Sequence, residues 1–110
     1  MNKTEDLLCP RFEKGTQILG KRWTVLIVNQ LLNGPQRFCQ IESAFPISGR
    51  ILSERLKDLE QIGIIKREVF AETPVRIEYS LTEKGSALAP AVREIQKWSQ
   101  EWIENSSEEE

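Results

Sequence analysis

The stretch Pro46–Arg67, PISGRILSERLKDLEQIGIIKR, decides the fold. Its apolar residues Ile51, Leu52, Leu56, Leu59 and Ile62 recur at the spacing that stacks them on one side of a helix. The other side carries Arg50, Ser53, Arg55 and Lys57, with the shortest side chains near its beginning. Ser48 is a suitable N-cap, Gly63 stops the helix, and Ile64-Ile65 opens an extended run. A helix with a short, polar and basic leading end is shaped to enter a DNA major groove.

Upstream, Cys9-Pro10 can open a first helix, because proline at the first helical position has no hydrogen bond to lose. Phe12, Thr16 and Leu19 fall roughly on one face, and Gly20 ends the helix. The pattern predicts a second helix from about Arg22 to Leu32, with Trp23, Leu26, Ile27, Gln30 and Leu31 as its buried stripe and Asn33-Gly34-Pro35 as its stop. Arg37-Phe38 reads as an extended link. Cys39–Ala44 reads as a brief third helix with Ile41 and Ala44 inward, and Phe45-Pro46-Ile47 as the turn into the fourth.

Downstream of Gly63 the period drops to two. Ile64–Phe70 and Val75–Leu81 read as strands, with Ala71–Pro74 as the hairpin tip. Thr82, followed by Lys84-Gly85, starts a terminal helix on which Leu88, Val92, Ile95, Trp98 and Trp102 recur at steps of three and four. Pro90 should kink that helix or restart it. The order helix, helix, short helix–turn–helix, hairpin, long helix is that of a winged helix-turn-helix: α+β, mainly α, with a two-stranded β-wing and terminal helices available for dimerisation. Residues 1–110 form one domain: a DNA-binding core over 9–82, a dimerisation helix over 83–104 and an acidic, disordered tail over 105–110.

Composition narrows the function. There is no histidine, which removes the commonest general base and metal ligand. Two cysteines, Cys9 and Cys39, make no zinc pattern, and neither a phosphate-binding glycine loop nor a nucleophile elbow is present. No enzyme activity, cofactor or metal is therefore expected. No apolar run approaches the ~20 residues that cross a bilayer, and the opening residues lack a secretory core. A cytoplasmic protein with reduced thiols and no membrane contact is expected. The net charge of −2 opposes nucleic-acid binding only in sum. Five glutamates lie from Glu101 onward, so residues 1–100 hold 15 basic against 12 acidic groups, a net of +3. Between Arg11 and Arg76 the net is +4, and the local field is what DNA meets.

Three segments, CPRFEKGTQILGKRWTVLIVNQLLNGPQRF, ISGRILSERLKDLEQIGIIKRE and ETPVRIEYSLTEKG, agree in order and spacing with one family. Over about Cys9–Gly85 the chain resembles the HxlR-type transcription regulators, relatives of the MarR group, and Trp98 extends the likeness into the terminal helix. The resemblance implies a homodimeric DNA-binding regulator. One branch of the family senses thiol-reactive species through the cysteine that is here Cys9. Some sensors of that branch carry partner cysteines near the C-terminus, whereas SQEWIENSSEEE has none. Any disulfide here must use Cys9 or Cys39, within one chain or across a dimer.

For DNA, the expected contacts are Ser48, Gly49, Arg50 and Ser53 at the leading end of the fourth helix. Arg50 is the candidate for guanine O6 and N7, and small neighbours let the backbone approach. Arg55 and Lys57 are candidate phosphate contacts. In the wing, Thr73 and Arg76 can reach the minor groove or backbone, with Arg76 facing solvent. Taken alone, the same helix reads better as a solvated face with Glu54, Asp58 and Glu60 as partners; the adjoining hairpin and the family resemblance reverse that preference. Phe12, Leu88, Val92, Ile95, Trp98 and Trp102 exceed what a small domain can cover, so a second chain is expected on them, although packing onto the chain's own core accounts for some.

Cys9 at a helix start, beside Arg11 and Lys14, has the setting that favours a reactive thiolate; on residues alone an inert thiol is as admissible. Cys39 reads as a small core residue, or as a resolving partner for Cys9. The function expected is a homodimeric repressor on a palindromic operator in double-stranded DNA, controlled by oxidation or alkylation of Cys9 by thiol-reactive small molecules. A ligand-responsive regulator with silent cysteines and a protein–protein module remain as alternatives.

Overall fold

The computed structural model describes residues 9–104; the tail expected over 105–110 lies outside them. Helix α1 (Pro10–Leu19) follows Cys9, which is extended at φ −67° and ψ 122°, and closes at Gly20, whose N–H donates to the Thr16 carbonyl at 2.7 Å. None of its residues is buried. Phe12 and Thr16 are exposed, and Ile18 and Leu19 are half-buried. Helix α2 (Thr24–Leu31) starts two residues later than the pattern predicts, because Trp23 is left-handed at φ +80°. The stripe consequently rotates: Thr24, Ile27, Val28 and Leu31 are buried, whereas Leu26 is exposed.

Gln36 exchanges two backbone hydrogen bonds with Tyr79, at 2.8 and 2.9 Å, a one-residue addition to the sheet. Of the expected extended link Arg37-Phe38, Arg37 is extended at φ −86° and ψ 162°, whereas Phe38 already opens the next helix. Helix α3 (Phe38–Ala44) buries Ile41. It leaves Ala44 and Cys39 exposed, against expectation, because the side chains this short helix turns to the core are Ile41 and the half-buried Phe38.

Helix α4 (Gly49–Gln61) is capped by Ser48, whose hydroxyl accepts from the Ile51 N–H at 3.1 Å. It buries Leu52, Leu56 and Leu59. Gly63 ends it at φ +82°, a conformation glycine adopts without steric cost. Strands β1 (Ile65–Phe70) and β2 (Arg76–Leu81) pair antiparallel, with Ile65 opposite Leu81 and Arg67 opposite Tyr79. A short helix α5 (Glu83–Ser86) is capped by the Thr82 hydroxyl, which accepts from the Gly85 N–H at 3.2 Å. Helix α6 (Ala89–Trp102) then restarts with Pro90 in its first turn, where a missing N–H costs nothing.

The core joins α2, α3, α4, the root of β1 and one turn of α6: Ile27, Val28, Ile41, Leu52, Leu56 and Ile65 are at most 1–2% exposed. Val92 belongs to this core and Leu88 packs against it. Val92 therefore leaves the expected dimer face, while Leu88 stays half-buried, because the first turns of α6 dock on α2, where Gln96 donates to Asn29 at 3.3 Å. The rest of α6 runs free, with Ile95 at 47%, Trp98 at 56% and Trp102 at 73% exposed. No described helix is long and apolar enough to cross a membrane.

Candidate nucleic-acid interface and thiol positions

Helix α4 presents Arg50, Ser53 and Lys57 at steps of three and four, and all three are exposed. The Arg50 side chain is 76% exposed and its guanidinium pairs with Glu54 at 3.0 Å, a contact one turn along its own helix. Such an exposed pair is worth little and can be exchanged for a base edge. Lys57 has no ion pair among the described residues.

Three of the expected contacts have partners within the chain. Gly49 packs close to α3: a Cβ there would stand 2.9 Å from the Glu42 Oε2, so the glycine makes space for a carboxylate of α3 at the positive end of α4. Ser48 spends its hydroxyl on the cap. Arg55 is turned inward with its side chain 17% exposed, and it donates to Asp58 at 2.7 Å while Lys21 reaches the same oxygen at 3.5 Å. Its buried Nε has no partner. Its place is the cleft between α1 and α4, apart from the exposed stripe of Arg50, Ser53 and Lys57.

The wing tip differs from expectation as well. Arg76 does not face solvent freely. Its guanidinium donates to Glu72 at 2.8 and 3.2 Å and to Glu78, and lies 4.0 Å from the Phe70 ring centroid. The hydrogen bond from Arg76 holds the Glu72 carboxyl below the ordinary carboxylate range, and the two carboxylates raise Arg76 further. A cation so neutralised carries little attraction for phosphate. The alternation of β2 places Arg76 opposite Phe70, but the sequence gives no sign that two glutamates converge on it. Thr73 is exposed at the tip, beside a cis peptide to Pro74.

Arg67 escapes a reading based on the helix alone. It lines, with Ser53, Lys57, Glu60 and Tyr79, a notch of ≈ 330 Å³ between α4 and the sheet. The signal for it is the register: Arg67 is two residues from buried Ile65, hence on the side of β1 that faces α4.

Cys9 and Cys39 are both free and exposed. Cys9 precedes Pro10, and its carbonyl accepts from the Glu13 N–H at 2.9 Å, while its side chain makes no capping bond. Cys39 lies in the first turn of α3. Among the described residues no group of His, Cys, Asp or Glu has the arrangement to hold a metal.

Residues 18–107 match the HxlR-like helix-turn-helix family. The chain is 64% identical over 107 residues to the HTH-type transcriptional regulator YvaP of Bacillus subtilis (strain 168), covering 96% of this chain and 97% of that one. It is 47% identical over 98 residues to YodB of the same organism, covering 88% of each. The structure of reduced YodB superposes with a TM-score of 0.78, covering 88% of this chain and 96% of the other. A quinone-bound form of YodB superposes at 0.75 with 43% identity, covering 86% and all of that chain. Sequence, element order and the wing agree: this chain belongs to the HxlR-like helix-turn-helix family of MarR-related, DNA-binding transcriptional regulators.

Proposed function

We propose that the protein is a homodimeric repressor whose affinity for a palindromic operator is controlled by chemistry at Cys9. The observation that carries the reading is the joint exposure of Cys9 and of the apolar side chains Phe12, Trp98 and Trp102 on the terminal helices. A thiol at the start of α1 then lies on an element available for subunit pairing, so an adduct there acts on the spacing of the two α4 helices. Paired copies present these helices to half-sites ~34–36 Å apart, and both must engage together. The quinone-bound form of YodB supports a quinone as one class of reactant. Addition of the Cys9 thiol to a quinone forms one S–C bond, and the thiol proton ends on a ring oxygen, so no further reactant is required.

The test is selection of bound genomic DNA by the reduced and by the quinone-treated protein, repeated with Cys9→Ser. The expected result is a palindrome recovered by the reduced protein, with recovery altered by quinone in wild type and unaltered in Cys9→Ser. An equal quinone response in the variant would refute control through Cys9.

One observation favours a second reading. A cleft of ≈ 450 Å³ between α1 and α4, with Lys14, Lys21 and Arg55 above Ile18 and Leu59, has the volume of a small-molecule site. A regulator using it would respond to a ligand with both cysteines replaced by serine.

A further inference from the structure

We infer that the notch between α4 and β1 is the seat of one DNA phosphodiester, gripped by Lys57 from the helix and Arg67 from the strand. The inference rests on the DNA-binding reading and adds to it a contact residue, Arg67, and a division of labour within the wing. The root of the hairpin, and not its tip, makes the electrostatic contact.

The first support is which cations are unengaged. Arg76 is committed to Glu72, Glu78 and the Phe70 ring, and Lys66 lies 3.8 Å from Glu68. Lys57 and Arg67 have no ion pair among the described residues, and they line the same notch from opposite walls. Glu60 is the one carboxylate in its lining, which leaves a net of +1. That balance matches a monoanionic phosphodiester, with the Ser53 and Tyr79 hydroxyls as additional donors.

The second support is rigidity. Tyr79 is fixed from both sides of its strand, by the register with Arg67 and by two backbone hydrogen bonds to Gln36. Ser53 and Lys57 are one turn apart on a helix anchored by Leu52, Leu56 and Leu59. A phosphate held between two such walls sets how deeply α4 enters the groove, and so brings Arg50, on the same stripe, to the base edges.

The experiment follows the affinity of the full chain for a fluorescently labelled, random-sequence duplex by anisotropy at stepped KCl concentrations. Each phosphate neutralised contributes ~0.9 to the slope of log affinity against log salt. Arg67→Gln and Lys57→Gln should each flatten that slope by about 1 per engaged subunit, Arg67→Lys should restore it, and Arg76→Gln should leave it unchanged. A wild-type slope in Arg67→Gln, or an equal flattening in Arg76→Gln, would overturn the seat while leaving DNA binding intact. A wild-type chain that binds no duplex at any salt concentration would overturn the DNA-binding reading and the seat with it.

Discussion

Gly85 packs directly against the backbone of Ile64: a Cβ added to the glycine would stand 2.2 Å from the Ile64 carbonyl oxygen. The contact fastens α5 to the turn that follows α4. Around it the Thr82 hydroxyl is within 3.1 Å of the Ile64 carbonyl, and Lys84 Nζ donates to the Ile62 carbonyl at 2.6 Å. The trailing end of α4 is thereby held by the segment that leads into α6.

Gly85→Ala should therefore destabilise the protein by about 1–3 kcal/mol or more, since the atom it meets is backbone and cannot turn aside. Gly15→Ala, inside α1 with nothing within 4 Å of the added Cβ, should instead stabilise by roughly 0.5–1 kcal/mol. Urea unfolding midpoints measure both, and equal shifts of one sign would contradict this account.

The wing tip should titrate as a unit. Glu72 is depressed by its hydrogen bond from Arg76, so the contribution of the pair is present above the ordinary carboxylate range. It is lost as pH falls through the lowered value. The carboxyl carbon of Glu72, followed by NMR, should show a midpoint below the ordinary glutamate value of ~4.3, and in Arg76→Gln the midpoint should rise toward it. The same midpoint in both proteins would show that the clamp is absent in solution.

Helices and wing are legible in the sequence because each is written in a local pattern: the period of Ile51–Ile62, the caps at Ser48 and Thr82, the alternation after Gly63. The parts not legible depend on through-space neighbours. Trp23 does not extend α2: its backbone is left-handed, and its ring lies 6.1 Å from that of Phe45 and 4.6 Å from the Arg22 guanidinium, neighbours that no helical period names. Cys39 and Ala44 have core-like identities, but α3 is too short to bury more than one side. In the candidate interface, helical spacing finds Arg50, Ser53 and Lys57. It cannot show that Arg55 turns to Asp58, that Arg76 is enclosed by two glutamates, or that the strand register delivers Arg67 to the same notch.

Arg50 and Arg55 should separate cleanly in a binding assay. Arg50→Ala removes the exposed fork and should weaken binding to the selected operator by ~1–3 kcal/mol while relaxing preference at one base pair. Arg55→Ala should leave operator affinity near wild type and lower stability, because it strands Asp58 beside Lys21 alone. Gel-shift titration together with thermal unfolding resolves the two effects. Full operator affinity in Arg50→Ala would remove that residue from the interface.

The terminal helix allows a similar separation between core and interface. Val92 is 4% exposed and within the chain's own core, so Val92→Ala should lower stability by about 1–3 kcal/mol through the cavity it leaves, with the subunit equilibrium little changed. Trp98 and Trp102 lie on the free part of the same helix, and large aromatics at the centre of an interface each contribute ~2 kcal/mol or more. Their joint replacement by alanine should raise the dimer dissociation constant by a factor of at least several hundred, from this magnitude, without unfolding the monomer. Sedimentation velocity at micromolar concentration reads the result directly. A wild-type protein sedimenting as a monomer there would leave the exposed tryptophans without a subunit to cover them, and would remove the geometric basis for reading two half-sites at once.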